Sequence, residues 1–178
     1  MTRLAIALLA VVAAWPVVRG EQAAPASAAP AILVDTAKGQ FEIQFFQADA
    51  PKSVAHILGL VKRGFYRGFR VHRVTASLAQ FGDPQTRNMT MIDYWGSGNS
   101  QTPIGVAEIS KKRSHVRGAV GLAYGGSDPR YADSQMYIMK VASPGLDGKY
   151  AIIGQVTTGM AVVDKLVKTD LIKNVTLK

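Results

Sequence analysis

The sequence predicts a mainly β fold, closed into a barrel and capped by two helices. Short strand-like runs recur from residue 32 to the end, with Gly, Pro, Asp and Ser between them. Only two segments carry helical spacing. The 178 residues, 48% hydrophobic and 19% charged, are enough for one domain with a real core and exclude wholesale disorder.

In chain order, "MTR" and the 15 apolar residues of "LAIALLAVVAAWPVV" lead into "VRG". That is the layout of a secretory signal peptide over residues 1–20, too short for a spanning helix of about 20 residues. The Ala/Pro/Ser-rich "EQAAPASAAPA" (21–31) reads as a flexible leader, and 32–178 as the folded domain. "ILVDT" and "FEIQFF" are strands around "AKGQ"; in the second, Phe41, Ile43 and Phe45 alternate with polar partners. "APKSVAHILGLVKRGFY" is a helix, with Pro51 in its first turn, Val54, Ile57, Leu58 and Val61 on one face, and Gly64 at its stop. "RVHRVTASLAQFGDP" (70–84) alternates like a strand before a Gly-Asp-Pro turn, and 85–105 form a polar surface excursion. "GAVGLAY", "SQMYIMKV" and "AIIGQV" are strands, "MAVVDKLVK" is a second helix, and "LIKNVTLK" is a closing strand.

Most catalytic chemistries find no support. No cysteine exists, so disulfides, thiolate metal sites and cysteine nucleophiles are excluded. His56, His72 and His115 are not at paired ligand spacings, and no metal is expected. There is no G-x-S-x-G elbow, and "AYGGSDP" lacks the phosphate-binding lysine. "NMT" and "NVT" match the glycosylation triplet, a pattern short enough to arise by chance. What is left over is Arg73, Gln80 and Gln135, each inside a strand-like run. Singly each reads as a satisfied structural residue. Together on one sheet face they would make a shallow hydrogen-bonding site for a neutral, peptide-like substrate.

In their order, "TAKGQFEIQFF", "APKSVAHILGLVKRGFYRGFRVHRV", "QFGDP", "HVRGAVGLAYGGSDPRYADSQMYI" and "LDGKYAIIGQVTTGMAVVDKL" resemble the cyclophilin-type peptidyl-prolyl cis-trans isomerases over roughly residues 32–178. "HVRGAV" and Tyr150 are closer to the bacterial extracytoplasmic members. The resemblance implies a closed eight-stranded antiparallel barrel, a helix over each end, and a proline-binding groove on its outer face. It makes Arg73 the catalytic arginine, Gln80 the glutamine that helps hold it, and Gln135 a contact to the substrate backbone. Tyr137 takes the place of a pocket phenylalanine, Leu146 matches the pocket leucine, Tyr150 stands where other members have histidine, and Ala123 matches a small groove-floor residue. No cofactor is implied.

The sequence departs from the family between Arg73 and Gln80. "RVTASLAQ" places six residues between them where seven are usual, and an expected proline is Ala76. The deletion is expected to be absorbed in "TAS", leaving Leu78 and Ala79 as pocket floor. Gly145 replaces a frequent aromatic that supports cyclosporin binding, so weak cyclosporin binding is expected.

The expected partners are proline-containing polypeptides met after export, in the periplasm or outside the cell. The expected form is a monomer with no integral membrane span once the signal is cleaved. The alternative is a catalytically weak binding module for extended or unfolded chains. The formal charge is +9, and without residues 1–20 it is +7, from 19 basic and 12 acidic residues. That excess could attract a polyanion. Nucleic acid is not expected, because no exposed aromatic series suits base stacking.

Overall fold

The computed structural model describes residues 29–178. The expected signal peptide and most of the leader lie outside the described residues. Ala31, read from sequence as leader, already begins the first strand and pairs with Gln44. The strands are β1 (Ala31–Thr36), β2 (Gly39–Phe45), β3 (Arg73–Val74), β4 (Leu78–Phe81), β5 (Ala119–Leu122), β6 (Met136–Met139), β7 (Ile152–Thr158) and β8 (Ile172–Leu177). The helices are α1 (Pro51–Lys62) and α2 (Met160–Lys165).

The eight strands form one antiparallel sheet, in the order β3-β4-β6-β5-β7-β2-β1-β8. The closed barrel expected from the sequence is corrected to an open half-barrel. β3 is only two residues long, and no ladder joins it to β8. The seam is spanned by a single bridge, Arg70 to Leu171, and by backbone bonds such as Ile172 N to Phe69 O (2.7 Å) and Val71 N to Asp170 O (2.9 Å). Gly68, at φ +79°, turns the chain where a strand would have continued.

Alternation along the strands separates two apolar clusters. Ile32, Val34, Phe41, Ile43, Ala79, Phe81, Val120, Leu122, Met136, Ile138 and Ile153 face the main core. α1 closes that core with Val54, Ile57, Leu60 and Val61, packing beside β8, while α2 adds Val163 beside β2. Leu78, Ala119, Tyr137, Met139 and Ile152 face the other way and form a smaller cluster.

The excursion after β4 contains two 3-10 turns, Pro84–Arg87 and Met89–Tyr94, and is tied down by carboxylates. Glu108 reaches the start of α1 and accepts from the amides of Lys52 (3.1 Å) and Ser53 (2.7 Å). Since Ala50 has no capping side chain, this distant carboxylate takes over the cap. No helix among the described residues is long and apolar enough to cross a membrane.

Candidate active site

The site is assembled by the β3–β4 hairpin and the strands beside it. Thr75 Oγ1 accepts from the amides of Ser77 and Leu78, and Thr75 N donates to Leu78 O (2.9 Å). This three-residue turn absorbs the missing residue, so Arg73 stands directly opposite Gln80 and Val74 opposite Ala79. Cross-strand partners share a face. The row therefore continues from Arg73 and Gln80 to Tyr137 and Gly121.

Next to β4, Gly82 has φ +114°, and a Cβ there would lie 2.2 Å from Ser134 O. Only glycine lets the chain pass this close to the Ser134–Gln135 backbone. Asp83 follows, fully buried, and its carboxylate accepts from the amides of Gln85 (2.8 Å), Gly96 (2.5 Å) and Gly98 (3.2 Å). The loop 96–98 is thereby held beside Gln135.

That loop fixes the orientation of both glutamines. Gln135 Nε2 donates to the carbonyls of Gly96 (2.9 Å) and Gly98 (2.7 Å), which can only accept. Its Oε1 must then accept from Gln80 Nε2, at 2.8 Å. In this structure both Gln135 N–H groups are used within the protein, where the side chain fastens the loop and orients Gln80. Gln80 does not bond Arg73 here, and it keeps a second Nε2 N–H and the acceptor Oε1 unused among the described residues. Arg73 is exposed and makes no side-chain hydrogen bond or ion pair among the described residues.

Of the other expected pocket residues, Leu78 and Tyr137 belong to the smaller cluster, with Ala123, Leu146 and Tyr150 packed at its margin. Ala79 does not belong with them. It is 1% exposed and points into the main core, because strand alternation sends it opposite to Leu78 and Gln80. The structure adds Ile152, Met139 and Phe46 to this face. The Tyr150 ring meets Tyr137 edge-on, with centroids 5.9 Å apart, and lies 4.9 Å from Tyr124. A cavity of about 360 Å³ opens alongside, between Gln80, Ala123, Tyr124, Gln135 and the 96–98 loop.

Beneath the apolar face the Tyr137 hydroxyl lies 2.8 Å from His115 Nε2, and His115 Nδ1 lies 2.7 Å from Asp147 Oδ1. Asp147 also accepts from the His115 amide, and these bonds to His115 hold its carboxyl below the usual range. Burial raises the Tyr137 phenol well above its ordinary value. Sequence reading set His115 aside as a metal ligand and did not single out Asp147. His72 lies under Gly96, is 5% exposed, and makes no well-formed hydrogen bond at either ring nitrogen among the described residues, although the Gln135 carboxamide is near enough to act on it. Among the described residues, no three His, Asp or Glu side chains cluster as metal ligands.

Comparison with known proteins decides the family. The profile of the cyclophilin type peptidyl-prolyl cis-trans isomerases matches residues 31–178. The chain belongs to this family. A Helicobacter pylori peptidyl-prolyl cis-trans isomerase is 32% identical over 145 residues, covering 80% of this chain and 83% of that protein. A probable peptidyl-prolyl cis-trans isomerase of Brucella abortus is 41% identical over 133 residues, covering 72% and 67%. Among solved structures, a Cryptosporidium parvum cyclophilin superposes with a TM-score of 0.73 at 21% identity, over 84% of this chain and 97% of its own. The same parasite protein has also been crystallised with the dipeptide Ala-Pro. On the open eight-stranded sheet of this cyclophilin, Arg73, Gln80 and Tyr137 follow one another across adjacent strands.

Proposed function

We propose that this cyclophilin accelerates rotation about Xaa-Pro bonds in exported polypeptides, with Arg73 stabilising the twisted amide. The observation that carries the reading is the placement of Arg73. It is exposed, without a partner among the described residues, opposite Gln80, and at the edge of an apolar outer face.

Rotation about the prolyl bond breaks no covalent bond; the barrier of about 18–20 kcal/mol is lost amide resonance. Unassisted exchange takes about 10–100 s at 25 °C. In the twisted state the prolyl nitrogen regains a lone pair. A guanidinium N–H donates to that lone pair more strongly than to the planar amide, which is selective stabilisation of the transition state. Leu78, Tyr137, Leu146, Tyr150 and Ile152 form the apolar wall for the ring, with Ala123 beside it. Gln80 Oε1 is the acceptor that steadies Arg73 when a peptide is bound. Export to the periplasm or beyond rests on the apolar run at residues 4–18, and the expected state is a monomer. Exposed Gly145 leaves an open space where a bulky cyclosporin contact would sit, so affinity for that ligand is weak.

The test is a protease-coupled assay of Xaa-Pro peptides with the chain lacking residues 1–20. A rate equal to buffer alone sinks the reading. Arg73→Ala should lower kcat/KM about 10²- to 10³-fold, the scale of losing one preorganised donor. Arg73→Lys should not restore it, because an ammonium lacks the planar fork. A second reading, a holding module with little turnover, is favoured by the full use of the Gln135 carboxamide within the protein. Suppressed aggregation of a proline-free client, without isomerase rate, would select it.

A further inference from the structure

We propose that Asp147 and His115 are positioning residues that fix the Tyr137 ring in a recessed rotamer, and that this anchor sets how well the groove accepts a prolyl ring. The inference rests on the outer face being the peptide site.

The direction of each bond follows from the donors available. The Asp147 carboxylate can only accept, so His115 Nδ1 carries the proton. His115 Nε2 is then bare and accepts from the Tyr137 hydroxyl. His115 is 1% exposed, and its ring lies nearly parallel to that of Tyr137, at 11° and 5.9 Å between centroids. Both imidazole nitrogens are spent on this chain, and only Asp147 meets solvent.

What the chain holds in place is shown by Gly121. A Cβ on residue 121 would sit 2.3 Å from both Tyr137 Cζ and Oη and 2.8 Å from Cε2. The ring therefore lies in the space that any other residue at 121 would fill. With nothing beneath it on β5, an unanchored ring could swing into the groove, since χ1 has alternative wells. The hydrogen bond to His115 holds the ring in this recess. Gly121 and the Tyr137 hydroxyl are thus mutually dependent: a methyl at 121 forces the ring outward and breaks the bond to His115.

The experiment measures kcat and KM for an Ala-Pro tetrapeptide, its Kd by NMR titration, and melting curves for each variant. Tyr137→Phe should raise KM about 5- to 10-fold with a smaller change in kcat, the scale of one net hydrogen bond. Gly121→Ala should raise KM further. The double variant Gly121→Ala/Tyr137→Phe should have about the KM of Gly121→Ala alone, because the methyl has already displaced the ring and broken the bond that Phe removes. Asp147→Asn, which keeps an acceptor oxygen, should stay near wild type, while Asp147→Ala should resemble Tyr137→Phe. A purely structural role would lower melting temperatures and leave KM of the folded fraction unchanged. The proposal is overturned if Tyr137→Phe keeps wild-type KM and Kd, or if the two substitutions simply multiply. If wild type binds the peptide without turnover, the isomerase reading fails and the same pattern in Kd decides the anchor. If wild type does not bind it, both fall.

Discussion

Acidification should weaken the fold through His72 before its carboxylates titrate. This imidazole is 5% exposed, lies under Gly96, and makes no well-formed hydrogen bond at either nitrogen among the described residues. Burial holds it down to about 4, against an ordinary 6.5, despite the opposing pull of Asp83 and the nearby Gln135 carboxamide. The unfolded chain therefore takes up a proton as pH falls through 6.5, while the folded chain resists until about 4. Between those values the unfolded state binds more protons, so the stabilisation is complete above pH 6.5 and is lost as pH falls. At about 1.4 kcal/mol per pH unit the full loss is about 3 kcal/mol, of which about 2 kcal/mol falls between pH 6.5 and 5. Asp133 and Asp147 are themselves held below the usual carboxylate range, so their contribution enters later. Urea unfolding of wild type and His72→Gln at pH 7, 6 and 5 isolates the term. The stability gap between the two proteins should shift by about 2 kcal/mol in favour of the variant on going to pH 5. A gap constant to within about 0.5 kcal/mol would refute the reasoning.

Other substitutions probe the scaffold. Glu108→Ala removes the acceptor of the Lys52 and Ser53 amides and should cost about 1 kcal/mol, read as a lower urea midpoint. Gly82→Ala drives a methyl into the Ser134 carbonyl at φ +114° and should cost about 3 kcal/mol or prevent folding, read by circular dichroism melts. Gln135→Ala strips the Gly96 and Gly98 carbonyls and the Gln80 amide of their partner. It should cost about 1–3 kcal/mol and speed hydrogen exchange at residues 96–98.

The elements legible in the sequence were those whose pattern is local. Phe41, Ile43 and Phe45 alternate, and Val54, Ile57 and Val61 repeat at helical spacing, so β2 and α1 could be placed from their own residues. Alternation with Leu78 and Gln80 already sends Ala79 to the opposite face, so its adjacency to Leu78 in the sequence does not make them pocket neighbours. The open seam was not legible, because "YRGFR" carries apolar residues like a strand while Gly68 turns it away from one. The two glutamines were found and their division of labour was not. It depends on carbonyls of a loop 37 and 39 residues away from Gln135. His115, Tyr137 and Asp147 escaped as a set for the same reason, since no spacing rule links positions on three different segments.

The pairing of β1 with β8 joins Ile32 to Leu177, and residues 169–172 also brace the backbone leading to Arg73. Such contacts span nearly the whole described chain, and long-range closure of this kind makes folding slow. A polypeptide emerging from its amino end can form the β1–β2 hairpin and α1 early. It cannot complete the sheet or seat the arginine hairpin until its last ten residues are free. The order of synthesis alone therefore leaves the sheet open until the carboxyl-terminal strand is available to pair.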